Sequence, residues 1–136
     1  MNKQLSFEPD SLSETLLGSL RRLVKAASAL SPGDCLRMAE SHLAAAVRQY
    51  RTQPSVNVRL AQAIYDCCEQ LVSSFDTLPD HSKAWIKGAI LYFAETSDGE
   101  PDFESFLGFE DDCEILNACL RLANRDELII NPEDYD

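Results

Sequence analysis

Apolar residues recur along this chain at alternating steps of three and four, the spacing that collects side chains on one face of an α-helix. The first run is Leu12, Leu16, Leu20, Leu23, Ala27 and Leu30, widened by Leu17 and Val24, with Ser11 and Glu14 in capping-box spacing ahead of it. Ser31, Pro32, Gly33 and Asp34 stop and restart the pattern, because serine suits an N-cap and proline costs nothing in a first turn whose amides have no intrahelical acceptor. A second helix follows, with Cys35, Met38, Ala39, His42, Leu43, Ala46, Val47 and Tyr50 on its apolar face. So short a connection predicts that helices one and two are antiparallel neighbours.

The third helix starts at Pro54 or Ser55, turns Val58, Ala61, Ile64, Tyr65, Cys68, Leu71, Val72 and Phe75 inward, and is broken by Asp76 to Asp80. The fourth begins between Asp80 and Ser82 and carries Ala84, Trp85, Ile86, Ala89, Ile90, Tyr92 and Phe93. It is apolar nearly all round, with Lys83 and Lys87 as the main exceptions, which predicts the buried centre of a bundle. Gly88 costs about 1 kcal/mol there relative to alanine, so a close helix crossing is expected at that point. A polar, acidic elbow from Tyr92 to Asp112 then leads into a fifth helix through Cys113, Ile115, Leu116, Cys119, Leu120, Leu122 and Ala123, ending near Asn124. Leu128 to Ile130 folds back on the core or adds a last turn, and Asn131 to Asp136 reads as a frayed acidic tail. With no strand-like alternation and no repeat, the pattern predicts an all-α, single-domain bundle of about five helices over residues 1–136. Its parts are the N-terminal helices (1–77), a segment (78–123) holding the structured acidic loop before the last main helix, and the acidic tail (131–136).

Composition agrees with one compact unit: 136 residues, 45% hydrophobic and 26% charged, are enough for a core without staples. The charge changes the picture. The formal net charge is −11, yet Glu95 to Asp136 holds fourteen acids against Arg121 and Arg125, a net of −12, while Met1 to Ala94 holds nine acids and ten bases. A field of that sign repels nucleic acid and anionic lipid and favours basic protein surfaces or cations. Five cysteines, an odd number, and an opening MNKQLSFEPD without an apolar leader point to free thiols in a reducing, cytoplasmic setting. No CxxC occurs, Cys67 and Cys68 diverge by about 100° on a helix, and only His42 and His81 could join them, so no zinc site is expected. His42 lies on or beside an apolar face and reads as a core histidine. No apolar run approaches the roughly 18 residues of a membrane span.

The chemistry on offer sits in the elbow. Asp98, Glu100 and Asp102 occupy the first, third and fifth positions of a calcium loop, but Phe103 stands where the sixth position needs glycine and Phe109 where the twelfth needs glutamate, which excludes an EF-hand. A looser Mg²⁺ or Ca²⁺ site built from Asp98, Asp102, Asp111 and Asp112 stays open, with metal-dependent hydrolysis as its furthest extension. A purely structural reading accounts for the same residues. Asp98 and Gly99 make a turn, Pro101 stiffens it, Phe103, Phe106 and Phe109 anchor in the core, and Asp111 or Asp112 caps the fifth helix. No phosphate loop, nucleophile elbow or HExxH motif is present, so no catalytic residue or organic cofactor is assigned and the reading points away from an enzyme. The leading expectation is a small interaction or regulatory protein that uses Glu100, Asp102 and Glu104 to dock on a basic partner or on another copy. Arg21, Arg22, Lys25, Arg48, Arg51 and Arg59 would form a basic region elsewhere.

Tyr92, Phe93, Asp98, Pro101, Asp102, Phe103, Gly108, Asp111 and Asp112 together resemble the signature of the YkvA-like family, a bacterial family named as a domain of unknown function. A weaker likeness runs back to Leu78, Pro79, Lys83 and Ala84 and forward to Leu122. Thr96 and Ser105 replace two prolines of that pattern, and Ser97, Gly99, Glu100 and Glu104 replace apolar loop residues. The resemblance implies a mostly helical module without a known activity, and the polar replacements detach it from the membrane association that apolar loops imply.

Overall fold

The computed structural model describes residues 8–54, 56–95 and 109–135. Among them every regular element is helical: α1 (Glu14–Ala27), α2 (Pro32–Tyr50), α3 (Val58–Ser73), α4 (Asp80–Ala94) and α5 (Glu110–Leu122), with 3₁₀ turns at Phe75–Thr77, Asp126–Leu128 and Pro132–Tyr135. The all-α architecture is as the periodicity predicts. No helix of the described residues is long and apolar enough to cross a membrane.

The helix starts show which polar residue wins each cap. Ser13, with extended backbone, caps α1 through its Oγ, which accepts the Leu16 N–H at 3.1 Å. The expected capping serine, Ser11, instead sits at φ 71°, in the left-handed region, so the chain is still turning into the helix there. Ser31 caps α2 as expected: its Oγ accepts the Asp34 N–H at 3.0 Å, the Asp34 carboxylate accepts the Ser31 N–H at 3.1 Å, and Pro32 opens the first turn. The third helix begins later than Pro54 or Ser55, because Asn57 supplies the cap by accepting the Leu60 N–H at 3.1 Å. At α5 the cap position falls on Phe109, and among the described residues no side chain caps it. Asp111 and Asp112 are therefore not N-caps; with Glu110 they form an acidic first turn that faces the positive end of the helix dipole.

Helix α4 is the centre. α1, α2 and α5 all pack against it, and its Ser82, Ile86, Gly88, Ala89, Ile90, Leu91 and Phe93 are buried. Gly88 marks the close crossing that its cost implied, with α1 as the neighbour: a Cβ placed there would lie 2.6 Å from Val24 Cγ2 and 3.2 Å from the Val24 Cα and N. The expected pairing of α1 with α2 is corrected by this arrangement. Each packs extensively on α4 and neither does so on the other, α2 finding α3 as its second neighbour. Lys87 of α4 donates to the Leu30 carbonyl at 2.8 Å and so holds the α1–α2 connection onto the central helix.

The end of the chain also differs from expectation. α5 closes in a Schellman arrangement, with the Asn124 N–H bonded to the Arg121 carbonyl at 3.2 Å and the Arg125 N–H to the Leu120 carbonyl at 2.9 Å. Asn124 takes the left-handed conformation this closure needs, at φ 61°. Beyond it Leu128 to Ile130 does both things foreseen: it adds a 3₁₀ turn and folds back, leaving Ile130 buried. Residues 131–135 are not a frayed tail. They form a further turn whose Tyr135 packs on the core under the guanidinium of Arg59, 6.0 Å from the ring centroid.

Candidate functional site

Among the described residues the acids of the last third divide into one buried carboxylate, the half-buried Glu95 and an exposed set. Asp112 is only 3% exposed and Asp111 lies at the surface, so the two face different surroundings. Asp98 and Asp102 of the expected cation site, and Glu100, Asp102 and Glu104 of the expected interaction face, lie outside the described residues. Among the described residues no group of three or more His, Cys, Asp or Glu side chains is arranged to hold a metal ion.

The structure does bring together acids that the sequence reading passed over. Glu110 and Glu114 stand one turn apart on the exposed side of α5, and the terminal turn carries Glu133 to the same place. They line a groove of about 480 Å³ with Ser11, Asn117 and Arg121. Neutral hydrogen bonds fix its far wall. The Asn117 side-chain carbonyl accepts the Ile130 N–H at 2.9 Å and its amide donates to the Ile130 carbonyl at 2.8 Å, so one side chain pairs with both backbone groups of one residue. Asn131 then turns the chain, its side chain accepting the Glu133 N–H at 3.1 Å and its carbonyl the Asp134 N–H at 3.0 Å. Glu110 and Glu114 at i,i+4 were a legible signal of a like-charged helix edge; Glu133 was not, because its position depends on the reversal at Asn124.

The basic side chains are distributed. Arg21 is paired with Glu8 at 2.7 Å and Arg22 with Glu95 at 3.5 Å on α1, Arg48 and Arg51 lie at the end of α2, and Arg59 rests against Tyr135 beside the acidic third. His42 has the core role expected of it: it is buried, meeting Phe93 and Phe109 edge-on at 5.1 and 6.2 Å, and burial pushes its pKa below the ordinary value. Phe109, one of the three expected aromatic anchors, is fully buried in that cluster. All five cysteines are unbridged and buried. Burial raises every thiol, Cys113 to about 11 and Cys67 to about 12, which makes them poor nucleophiles while they are covered.

The chain matches no protein-family model, no curated protein and no solved structure, so the resemblance to the YkvA-like family has no support from them.

Proposed function

We propose that this protein is a helical interaction module whose acidic C-terminal third docks on a basic surface of a protein partner. The observation that carries the reading is the convergence of Glu110, Glu114 and Glu133 on one groove, with its far wall held by the Asn117 to Ile130 bonds. Three carboxylates against the one guanidinium of Arg121 leave the groove net negative, a field that attracts a lysine or arginine side chain and repels phosphates. Nearly all the described acids of this third support the same role, since Glu110, Asp111, Glu114, Asp126, Glu127, Glu133 and Asp134 are exposed and only Asp112 is buried. The elbow acids Glu100, Asp102 and Glu104, which lie outside the described residues, enter the proposal through the net charge they add to this third of the chain.

The test compares two triple charge reversals in pull-downs from the source cell. Glu110→Lys, Glu114→Lys and Glu133→Lys should remove the captured partner, whereas Glu40→Lys, Asp66→Lys and Glu69→Lys, exposed acids of α2 and α3, should not. Sedimentation of the wild-type chain alone at low and high salt tests a second copy as the partner. Equal capture by both variants, with a monomer at every salt concentration, refutes the reading.

A further inference from the structure

The chain beyond Asn124 is attached differently from the rest of the bundle. Arg125 donates through Nη1 to Ser74 Oγ at 3.2 Å, just past the end of α3, and Tyr135 lies under Arg59 near the start of that helix. The segment therefore runs alongside α3 in the opposite direction, fastened at its two ends by these contacts and in its middle by Asn117 to Ile130. Between those points it does not close onto the helix. A groove of about 620 Å³ remains, with Val58, Ala63 and Cys67 of α3 on one side and Leu128, Ile129 and Ile130 on the other.

Two thiols lie against this segment. Cys113 of α5 is fully buried and its Sγ donates to the Ile130 carbonyl at 3.4 Å, the same carbonyl that Asn117 holds. Cys67 of α3 is 4% exposed and lines the groove below Ile129 and Ile130. The other three cysteines are placed elsewhere: Cys119 donates to the Trp85 carbonyl of α4 at 3.6 Å, and Cys35 and Cys68 are buried on α2 and α3 without lining the groove.

We propose that residues 125–135 act as a strap hinged after Asn124, whose release as one unit uncovers the Cys67 and Cys113 thiols while Cys35, Cys68 and Cys119 stay in the core. Among the described residues few contacts must break for this to happen: the Asn117 amide pair and the Cys113 thiol bond at Ile130, the Ser74 bond, the Arg59 contact with Tyr135, and the burial of Ile130, Leu128 and Tyr135. Segments with so few fastenings open below the free energy of global unfolding. Because Asn131, Pro132 and Glu133 also form one wall of the acidic groove, release dismantles that groove as well. A side chain added to Cys113 sulfur would occupy the place of the Ile130 carbonyl and hold the strap open, so the thiol state and the surface are coupled. The strap itself does not depend on what the acidic groove binds.

The full chain decides the matter by pulsed alkylation with N-ethylmaleimide, in which each thiolate sulfur adds across the maleimide double bond, read cysteine by cysteine by mass spectrometry over a series of low urea concentrations. Cys67 and Cys113 should label at a shared rate about tenfold or more above the other three, with a shallow urea dependence, while Cys35, Cys68 and Cys119 share a steep one. Asn117→Ala should raise the first two rates together and leave the other three unchanged. Tyr135→Ser, which frees the far end, should do the same and stands in if Asn117→Ala does not fold. A common rate and a common urea slope for all five thiols overturns the proposal, as does labelling of Cys67 and Cys113 that is indifferent to a folded strap variant.

Discussion

Replacing Gly88 and Gly18 by alanine makes the same chemical change in two helices and should give opposite results. In the interior of a helix the exchange is ordinarily worth about 1 kcal/mol in favour of alanine. At Gly18, exposed on α1, an added Cβ meets nothing within 4 Å, so Gly18→Ala should stabilise the protein by nearly that amount. At Gly88 the same atom would lie 2.6 Å from Val24 Cγ2. Valine has one strongly preferred rotamer in a helix, so the methyl does not simply turn away. Even if it did, the Val24 Cα and N at 3.2 Å belong to the α1 backbone and move only if the α1–α4 contact opens. Overpacking of this kind costs about 1–3 kcal/mol, which outweighs the propensity gain and leaves Gly88→Ala less stable than wild type by roughly 1 kcal/mol. The two variants should therefore differ by about 2 kcal/mol, or several degrees in Tm for a chain of this size. Urea unfolding followed by the fluorescence of Trp85, the one tryptophan, measures both. Adding Val24→Ala should relieve only part of the Gly88→Ala loss, since the backbone contacts persist, and a double-mutant cycle reads that coupling. Gly88→Ala as stable as wild type would refute the close crossing and with it the placement of α1 directly on α4.

Ser31→Ala should cost about 1 kcal/mol by removing the acceptor of the Asp34 N–H, measured by the same urea transition. Asn124→Ala should cost about 1 kcal/mol because its backbone is left-handed at φ 61°, whereas Asn124→Gly should be neutral or slightly stabilising. Burial lowers the folded-state pKa of His42, so the unfolded chain binds its proton first: the neutral-histidine contribution to stability is complete above about pH 6.5 and is lost as pH falls below that value. Unfolding midpoints taken from pH 7.5 to 5.5 should fall in wild type with a slope of at most about 1.4 kcal/mol per pH unit from this residue, and less steeply in a folded His42→Phe variant.

What the sequence revealed follows from what periodicity measures. A step of three and four reports which side of a helix faces inward, so the five helices, the buried α4 and the inward His42 were all legible. The price of glycine in a helix likewise pointed to a crossing at Gly88 before its partner was known. Periodicity is silent on which helix meets which face. α1 and α2 are joined by a short turn, yet both lie on α4, because the small side of α4 at Gly88 admits α1 and Lys87 takes the carbonyl of Leu30. Caps were ambiguous where polar residues crowd: Ser13 rather than Ser11 has the extended backbone a cap needs, and the acids of α5 fall past the cap position, within the first turn of the helix. The excess of acid in the last third was plain. Its convergence on Glu110, Glu114 and Glu133 was not, since it depends on the Schellman reversal and on Asn117, a lone polar residue among buried neighbours.

The two proposals respond to salt in opposite ways, which separates them on one protein. Docking on a basic surface depends on the field of the exposed carboxylates, and the Debye length falls from about 10 Å at 0.1 M to about 3 Å at 1 M, so partner binding should weaken as salt rises. The described contacts that hold the strap to the body put a neutral group on at least one side: the Asn117 amide and the Cys113 thiol on the Ile130 backbone, the packing of Leu128, Ile130 and Tyr135, the Arg125 guanidinium on the Ser74 hydroxyl, and Arg59 over the Tyr135 ring. The Arg125 to Glu127 ion pair at 2.6 Å lies within the strap and opens with it, so screening that pair leaves the attachment in place. What salt does screen is the interaction of Glu133 on the strap with the charges of α5 in the same groove, two like charges at Glu110 and Glu114 against one opposite charge at Arg121, and screening that net repulsion favours closure. Protection of Cys67 and Cys113 should therefore hold or increase over the salt range in which partner binding is lost.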